Sequence, residues 1–380
     1  MNKKTDTLLC IGFLAIIVSL FLLLLISPVK SFSDTENRVL QGMPEISLQR
    51  IVSKQFTKQM ETFIADQFPF RDQWVAVKSS LQQLRGQKEN NGIYKGSDGY
   101  LLEKFQKPDF VKIQKYLDAI NKMAVNNEKV NITFLLAPTS VGIYPEKLPA
   151  FAGVFPQSEI NRMVGDRLAD LITYIDGFDF LSSTSPELLY YKTDHHWTTY
   201  SAYLAYREFC ERQGWAGRPL EEFNIETVSN SFLGSYHTRS QFTGIDPDAI
   251  QVYLPKNAPE MSLYIADKAG TYQSWYFAEF LHKKDQYAYF QGGVHSLMQI
   301  SSKLDKDAVK QEKLLVIKDS YAHSVLPFLA LDIPSIEVID IRFYNGSIRQ
   351  YIEDNGITDV LLLFNTSTFV ESQDMIKLQY

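Results

Sequence analysis

Apolar and polar positions change period several times along the chain, and each change marks an element. From Leu8 to Ser27 the sequence is LLCIGFLAIIVSLFLLLLIS, with no charge over about 20 residues, enough for roughly 30 Å of helix through hydrocarbon. Residues 28–46 are polar around Pro44 and read as a linker. Residues 47–66 and 70–86 repeat apolar side chains near helical spacing (Ile51, Phe56, Met60, Phe63, Ile64), with Pro69 between the two predicted helices. A hairpin is predicted over 93–103 around Ser97-Asp98-Gly99, a helix over 109–127, a buried strand from Val130 to Ala137 and a further helix over 157–175. Thr193 to Trp197 (TDHHW) leads into a helix from Thr198 to Arg212, and residues 220–290 read as a β-rich insertion. Beyond it, three continuous apolar runs alternate with helical segments: Leu314 to Ile317, Ser335 to Ile341 and Asp359 to Phe364. Continuous apolar runs suit parallel strands buried on both faces, so the predicted class is α/β with a parallel sheet flanked by helices.

The first segment also sets topology. Lys3 and Lys4 precede it, which by the positive-inside tendency keeps residues 1–7 cytoplasmic and exports the rest. A cleaved signal peptide would carry an apolar core of about 7–15 residues and then small residues. This run is longer and ends in Ser27-Pro28-Val29-Lys30, so an uncleaved anchor over 8–27 and an extracytoplasmic domain over 47–380 are predicted. Thr7-Leu8-Leu9-Cys10 has no apolar segment ahead of it and is not expected to be lipidated. Cys10 and Cys210 are the two cysteines and are not placed to pair.

The net charge of -6 argues against a nucleic-acid partner, as does the lack of a basic cluster: Lys283-Lys284 is short, and Lys303 to Lys313 is interrupted by acids. The 21 Tyr and 25 Phe suit either aromatic-lined sugar grooves or a large aromatic core.

Ser320 stands where an apolar strand gives way to a helix, the edge at which open α/β sheets bind ligands. Free N–H groups there can stabilise an oxyanion, although Asp319 or Ser320 can equally serve as a helix N-cap. A serine nucleophile needs a base, and the base needs a group that fixes its tautomer. Asp194 and His196 are two residues apart. That spacing places their side chains on one side only if TDHHW is extended, with His195 then pointing away. Trp197 would shield or underlie the site.

These two pieces together, Asp194-His195-His196-Trp197 and VIKDSYAHS at 316–324, resemble the DHHW proteins and the alginate acetylation proteins of the SGNH hydrolase superfamily. Weaker supporting blocks are Glu36 to Leu40, Asp66 to Arg71, Gly96 to Gly99, Pro138 to Pro149 and Phe232-Leu233-Gly234-Ser235. The resemblance spans residues 30 to 370 and implies an SGNH-like fold in permuted order, with Ser320 as nucleophile, His196 as base and Asp194 as orienting acid. The chain departs from the pattern at Lys318, where the superfamily has Gly, and at Gly292-Gly293-Val294, where a Gly-Gly-Asn-like turn is expected. A Gly-x-Asn-Asp block is missing as well. Asn365 is therefore the candidate oxyanion donor, with a helix cap as its other reading.

Further candidates are Arg342 for a substrate carboxylate or phosphate, Ser140 and Tyr144 as pocket lining, Tyr321 beside the nucleophile, and His323 as a local base. Asp194, His195, His237 and His295 are a conceivable zinc set, but their spacings are not those of a metal site, and no metal or cofactor is predicted. The resemblance implies O-acetylation of an extracellular or cell-wall polysaccharide, with the acyl group supplied by a multipass membrane acyltransferase. An acetylesterase with the same three residues is one alternative. A non-catalytic polysaccharide-binding partner of an export complex is another.

Overall fold

The computed structural model describes residues 3–33, 38–182, 184, 185, 187–305, 309, 310 and 313–380. Glu36 and Asn37 of the Glu36 to Leu40 block lie outside these residues, as does part of the lysine run between Lys303 and Lys313. The chain divides into two compact units, 1–87 with 241–244, and 88–240 with 245–380.

The first unit is helical. One apolar helix covers Lys3–Ile26, about 36 Å at 1.5 Å per residue. It is long and apolar enough to cross a membrane over Thr5–Ile26. The helix predicted over 47–66 is broken in two, Leu48–Val52 and Gln55–Asp66. Lys54 sits between them in the left-handed region (φ 60°), where a helix cannot continue. After Pro69 the next helix is Arg71–Leu84.

The second unit is built on one eight-stranded sheet. We label its strands β1 (Asn131–Ala137), β2 (Ile172–Asp176), β3 (Met261–Ile265), β4 (Gly270–Tyr272), β5 (Leu297–Ser302), β6 (Leu314–Lys318), β7 (Ser335–Asp340) and β8 (Asp359–Asn365). Their spatial order is β4-β3-β5-β7-β6-β8-β1-β2. The run β7-β6-β8-β1-β2 is parallel, and β5, β3 and β4 add to it antiparallel. The sheet is thus mixed where a parallel one was predicted. The reason lies in residues 220–290: they do not form a separate insertion, because β3 and β4 extend the central sheet through β5. The remainder holds a two-stranded hairpin, Phe223–Phe232 with Asp248–Pro255.

The apolar runs behave as their composition demands. Leu314, Leu315, Val316 and Ile317 are wholly buried, as are Leu362 and Leu363. Each buried side chain of this kind contributes about 1.5–3 kcal/mol. Helices Phe110–Asn126 and Thr199–Arg212 match prediction, with Asp109 and Thr198 as N-caps. The helix predicted over 157–175 stops at Arg167, and the β-branched stretch Ile172-Thr173-Tyr174-Ile175 pairs with β1 as strand β2. The 93–103 hairpin turns at Asp98 and Gly99, both at positive φ.

Candidate active site

Four parallel strands deliver candidate residues to one sheet edge. β6 ends at Lys318 and leads through Asp319 to Ser320, β8 ends at Asn365, β7 leads to Arg342, and β1 leads to Ser140. Ser320 opens a 3-10 turn, Ser320–Ser324, whose N-cap Asp319 accepts from the Tyr321 N–H at 2.8 Å. Asp319 is fully buried, while Ser320 is partly exposed. The backbone N–H of Ser320 has no partner among the described residues.

The TDHHW loop lies over this turn. His196 Nε2 is 2.7 Å from Ser320 Oγ, and His196 Nδ1 is 2.6 Å from Asp194 Oδ1. The loop is bent, not extended. The Asp194 carboxylate folds back over its own chain, and Oδ1 also accepts from the His196 backbone N–H at 2.9 Å. That Asx-type turn, not strand alternation, puts residues 194 and 196 together. For the same reason His195 does not point away. Its ring lies 3.7 Å from that of His196, and its Nδ1 is 2.6 Å from Ser235 Oγ.

Side chains distant in sequence hold the loop. Asp248 accepts from the N–H groups of Lys192 and Thr193 and from Thr193 Oγ1, at 2.9, 2.8 and 2.6 Å. The Ser235 N–H donates to Asp194 Oδ2 at 2.7 Å. Gly234 is required next to it: a Cβ there would lie 2.3 Å from Asp194 Cβ. Trp197 is buried beneath the site, its Nε1–H donating to the Tyr321 carbonyl at 3.0 Å, and the Tyr321 hydroxyl donates to the His195 carbonyl at 2.6 Å. Tyr287, which the sequence did not single out, stacks on His196 with ring centroids 3.5 Å apart and planes at 11°.

Electrostatics separate the three titratable neighbours. Burial would raise Asp194, but the charges and hydrogen bonds of His195 and His196 outweigh it and hold the carboxyl well below its usual range. Burial lowers His196, and the neighbouring His195 lowers it further, against the pull of Asp194, to about 4. His195 resists its own burial because Asp194 draws its pKa up. At neutral pH Asp194 is therefore a carboxylate and His196 a neutral imidazole, while Asp194 draws the pKa of His195 upward. Neutral His196 with Nδ1–H directed at Asp194 leaves Nε2 free to accept from the Ser320 hydroxyl.

Several expected roles are corrected. Asn365 caps the helix Thr366–Glu371, and its Nδ2 hydrogens go to Asp319 Oδ2 and Thr368 Oγ1 at 2.7 and 2.8 Å, leaving none for an oxyanion. Arg342 donates to Asp340 through Nε and Nη2 at 2.8 and 2.7 Å, so its charge is compensated internally. Ser140 and Tyr144 are buried rather than pocket lining: Tyr144 packs against Tyr100 and Tyr190. His323 is buried, and its Nε2 accepts from Lys318 Nζ at 2.8 Å instead of facing Ser320. Lys318 itself is accommodated by an ion pair. Its register partner on β7 is Asp340, whose Oδ2 lies 3.3 Å from the ammonium.

The zinc set does not assemble either. Among the described residues, the potential metal ligands that converge are Asp194, His195 and His196, without His237 or His295. His295 is instead 3.0 Å from Asp267 and 3.1 Å from the Gln291 carbonyl. Asp194 is hydrogen-bonded to His196, His196 to Ser320 and His195 to Ser235.

By fold and site, the protein falls among α/β proteins that hold a serine, a histidine and an aspartate in hydrogen-bonded series at the carboxyl edge of a mixed sheet. More specifically, it belongs to the DHHW protein family, whose model matches residues 112–339. It is similar to a DHHW family protein of Eubacterium siraeum at 24% identity, covering 77% of this chain and 96% of that one with a TM-score of 0.66. It is also similar to PatB1 of Bacillus cereus, solved with a sulfonyl adduct, at 22% identity, covering 76% of this chain and 98% of that one with a TM-score of 0.63. None of the curated proteins compared matches the chain.

Proposed function

We propose that this protein is a membrane-anchored, serine-dependent O-acyltransferase acting outside the cytoplasm, with a polysaccharide hydroxyl as acceptor. The observation that carries the chemistry is the unbroken series Ser320 Oγ, His196 Nε2, His196 Nδ1, Asp194 Oδ1, with contacts of 2.7 and 2.6 Å. The Ser320 oxygen attacks the acyl carbonyl carbon of the donor while His196 Nε2 takes its proton. The Ser320 N–H, which has no partner among the described residues, is the donor available to the developing oxyanion. The tetrahedral intermediate expels the donor's leaving group, which takes the proton from the imidazolium, and Ser320 is left acylated. An acceptor hydroxyl, deprotonated by His196, then attacks the acyl carbon, and Ser320 recovers its proton. Asp194 holds the imidazole tautomer throughout.

The apolar helix Lys3–Ile26 supports the anchored placement, and Lys3 and Lys4 support export of the domain beyond it. Family membership and the resemblance of the Asp-Ser block support an acetyl group and a polysaccharide acceptor. The donor would be delivered from a multipass membrane acyltransferase. Water in place of the sugar hydroxyl would make the same site an esterase.

The test is acylation of the full chain in detergent micelles by p-nitrophenyl acetate, followed by intact mass, with and without an oligosaccharide acceptor. A Ser320-dependent acetyl adduct that an acceptor discharges supports the transferase, and discharge by water alone supports the esterase. Unchanged mass and turnover in Ser320→Ala would remove the enzyme proposal. Because the PatB1 structure carries a sulfonyl adduct, a sulfonyl fluoride is a second probe, expected to label wild type and not Ser320→Ala.

A further inference from the structure

Tyr287 belongs to a 3-10 turn, Gln286–Tyr289, far from both the DHHW loop and the serine turn in sequence. Its ring lies flat on one face of the His196 imidazole, with centroids 3.5 Å apart and planes at 11°. The other face of His196 meets His195 at 3.7 Å and 39°. The imidazole therefore sits between a neutral aromatic face and a second histidine. Tyr287 is itself fixed. It is buried, with Tyr191 at 6.4 Å and Phe290 at 5.1 Å, and its hydroxyl lies 3.4 Å from the Ser320 carbonyl and 3.3 Å from Ser324 Oγ. One side chain thus spans the base and the turn that carries the serine.

We infer that Tyr287 is a positioning residue for the proposed acyl transfer, clamping the His196 ring in the plane that joins Asp194 to Ser320 and stabilising its protonated form through the aromatic face. The inference rests on the acyl-transfer reading for its kinetic part only. While His196 is neutral, the face provides packing. When Ser320 gives up its proton, His196 becomes a cation held over the negative face of an aromatic ring, an attraction absent from the ground state. An interaction that strengthens only as the proton moves accelerates the step. The cation is also unfavourably close to His195, so His196 has need of such a counterweight. Burial pushes the Tyr287 phenol well above its usual range, so it remains a neutral ring throughout.

The test compares Tyr287→Leu and Tyr287→Phe in the full chain in detergent micelles. Tyr287→Leu is expected to slow acetylation of Ser320 by p-nitrophenyl acetate by about 30-fold, the fold-change equivalent of a desolvated cation–aromatic contact. Tyr287→Phe, which keeps the ring and loses the hydroxyl, is expected to stay within about threefold of wild type. A role confined to the hydroxyl contacts with Ser320 and Ser324 would not predict that rescue. Independently of turnover, the far-downfield proton NMR signal of His196 Nδ1–H is expected to be sharp in wild type and Tyr287→Phe, and broadened or lost in Tyr287→Leu.

A Tyr287→Leu protein with wild-type rate and an unchanged signal would overturn the inference. So would a Tyr287→Phe protein as slow as Ser320→Ala, a result readable even if Tyr287→Leu does not fold. If wild type itself shows no acetyl adduct, the proposed function fails, and the proton signal alone decides whether Tyr287 positions His196.

Discussion

Gly234→Ala offers a sharp perturbation of the site, because its effect is set by sterics at a residue that touches neither serine nor histidine. A methyl group at position 234 would lie 2.3 Å from Asp194 Cβ, 2.4 Å from Oδ2 and 2.6 Å from Cγ. Ordinary contact begins at 3.4 Å, so the carboxylate or the backbone of residues 232–235 must give by about 1 Å. The Asp194–His196 contact is only 2.6 Å, and the same displacement along it would break the hydrogen bond. A misplacement of about 1 Å in catalytic geometry costs on the order of 100-fold, or about 2.7 kcal/mol of transition-state stabilisation. The rate to measure is acetylation of Ser320 by p-nitrophenyl acetate, with thermal melting alongside to separate lost geometry from lost fold. The same substitution in an Asp194→Asn background should cost less than about twofold more, because the group it displaces is already disabled. A folded Gly234→Ala protein acylated at the wild-type rate would refute the reasoning. An undiminished penalty in the Asp194→Asn background would refute it equally.

The electrostatics and the buried network carry further expectations. Neutral His196 is the active form and its pKa is lowered to about 4, so the acylation rate should hold from neutral pH down toward that value and then fall about tenfold per unit; an acid limb near the ordinary histidine value of 6.5 would contradict the assignment. His195→Gln removes a charge that lowers His196, so the acid limb should move up, toward 6.5, in a pH–rate profile. Asp340 sits between Lys318 and Arg342, and Asp340→Asn strands the buried Lys318 ammonium, so it should cost about 3–5 kcal/mol in urea unfolding. Lys318→Met, which leaves Asp340 its arginine partner, should cost less than half of that.

Local pattern served well where one segment decides its own structure. The apolar runs at 314–317 and 359–364 became central strands, and the helix after Thr198 starts at its cap. Ser320 and His196 were legible as a pair because a strand–serine–turn junction and a DHHW run are both uncommon combinations. Geometry inside the loop was not legible in the same way. Strand logic gave the right partners for Asp194 and His196 by the wrong route, since the carboxylate reaches back through an Asx-type turn and brings His195 to the same side. Tyr287 and Asp248 escaped notice because nothing in their local sequence marks them, and Gly234 stood only inside the Phe232 to Ser235 block with no role of its own; the meaning of all three comes from what folding places against them. Asn365 failed as a candidate because a cap and a buried carboxylate take both of its Nδ2 hydrogens, and Arg342 because Asp340 already compensates its charge, a competition that sequence position at a strand end does not display.

The turn that folds Asp194 onto His196 has a consequence for how the chain can be arranged. Acid and base form one short cassette, pinned by Asp248 and Ser235, so their mutual alignment does not depend on which part of the protein comes before or after it. Long-range folding has to supply the pins, Asp248 and Ser235, and the approach of this cassette to the end of β6. Relocating the cassette ahead of the serine in chain order then leaves the chemistry untouched, provided the two ends still dock.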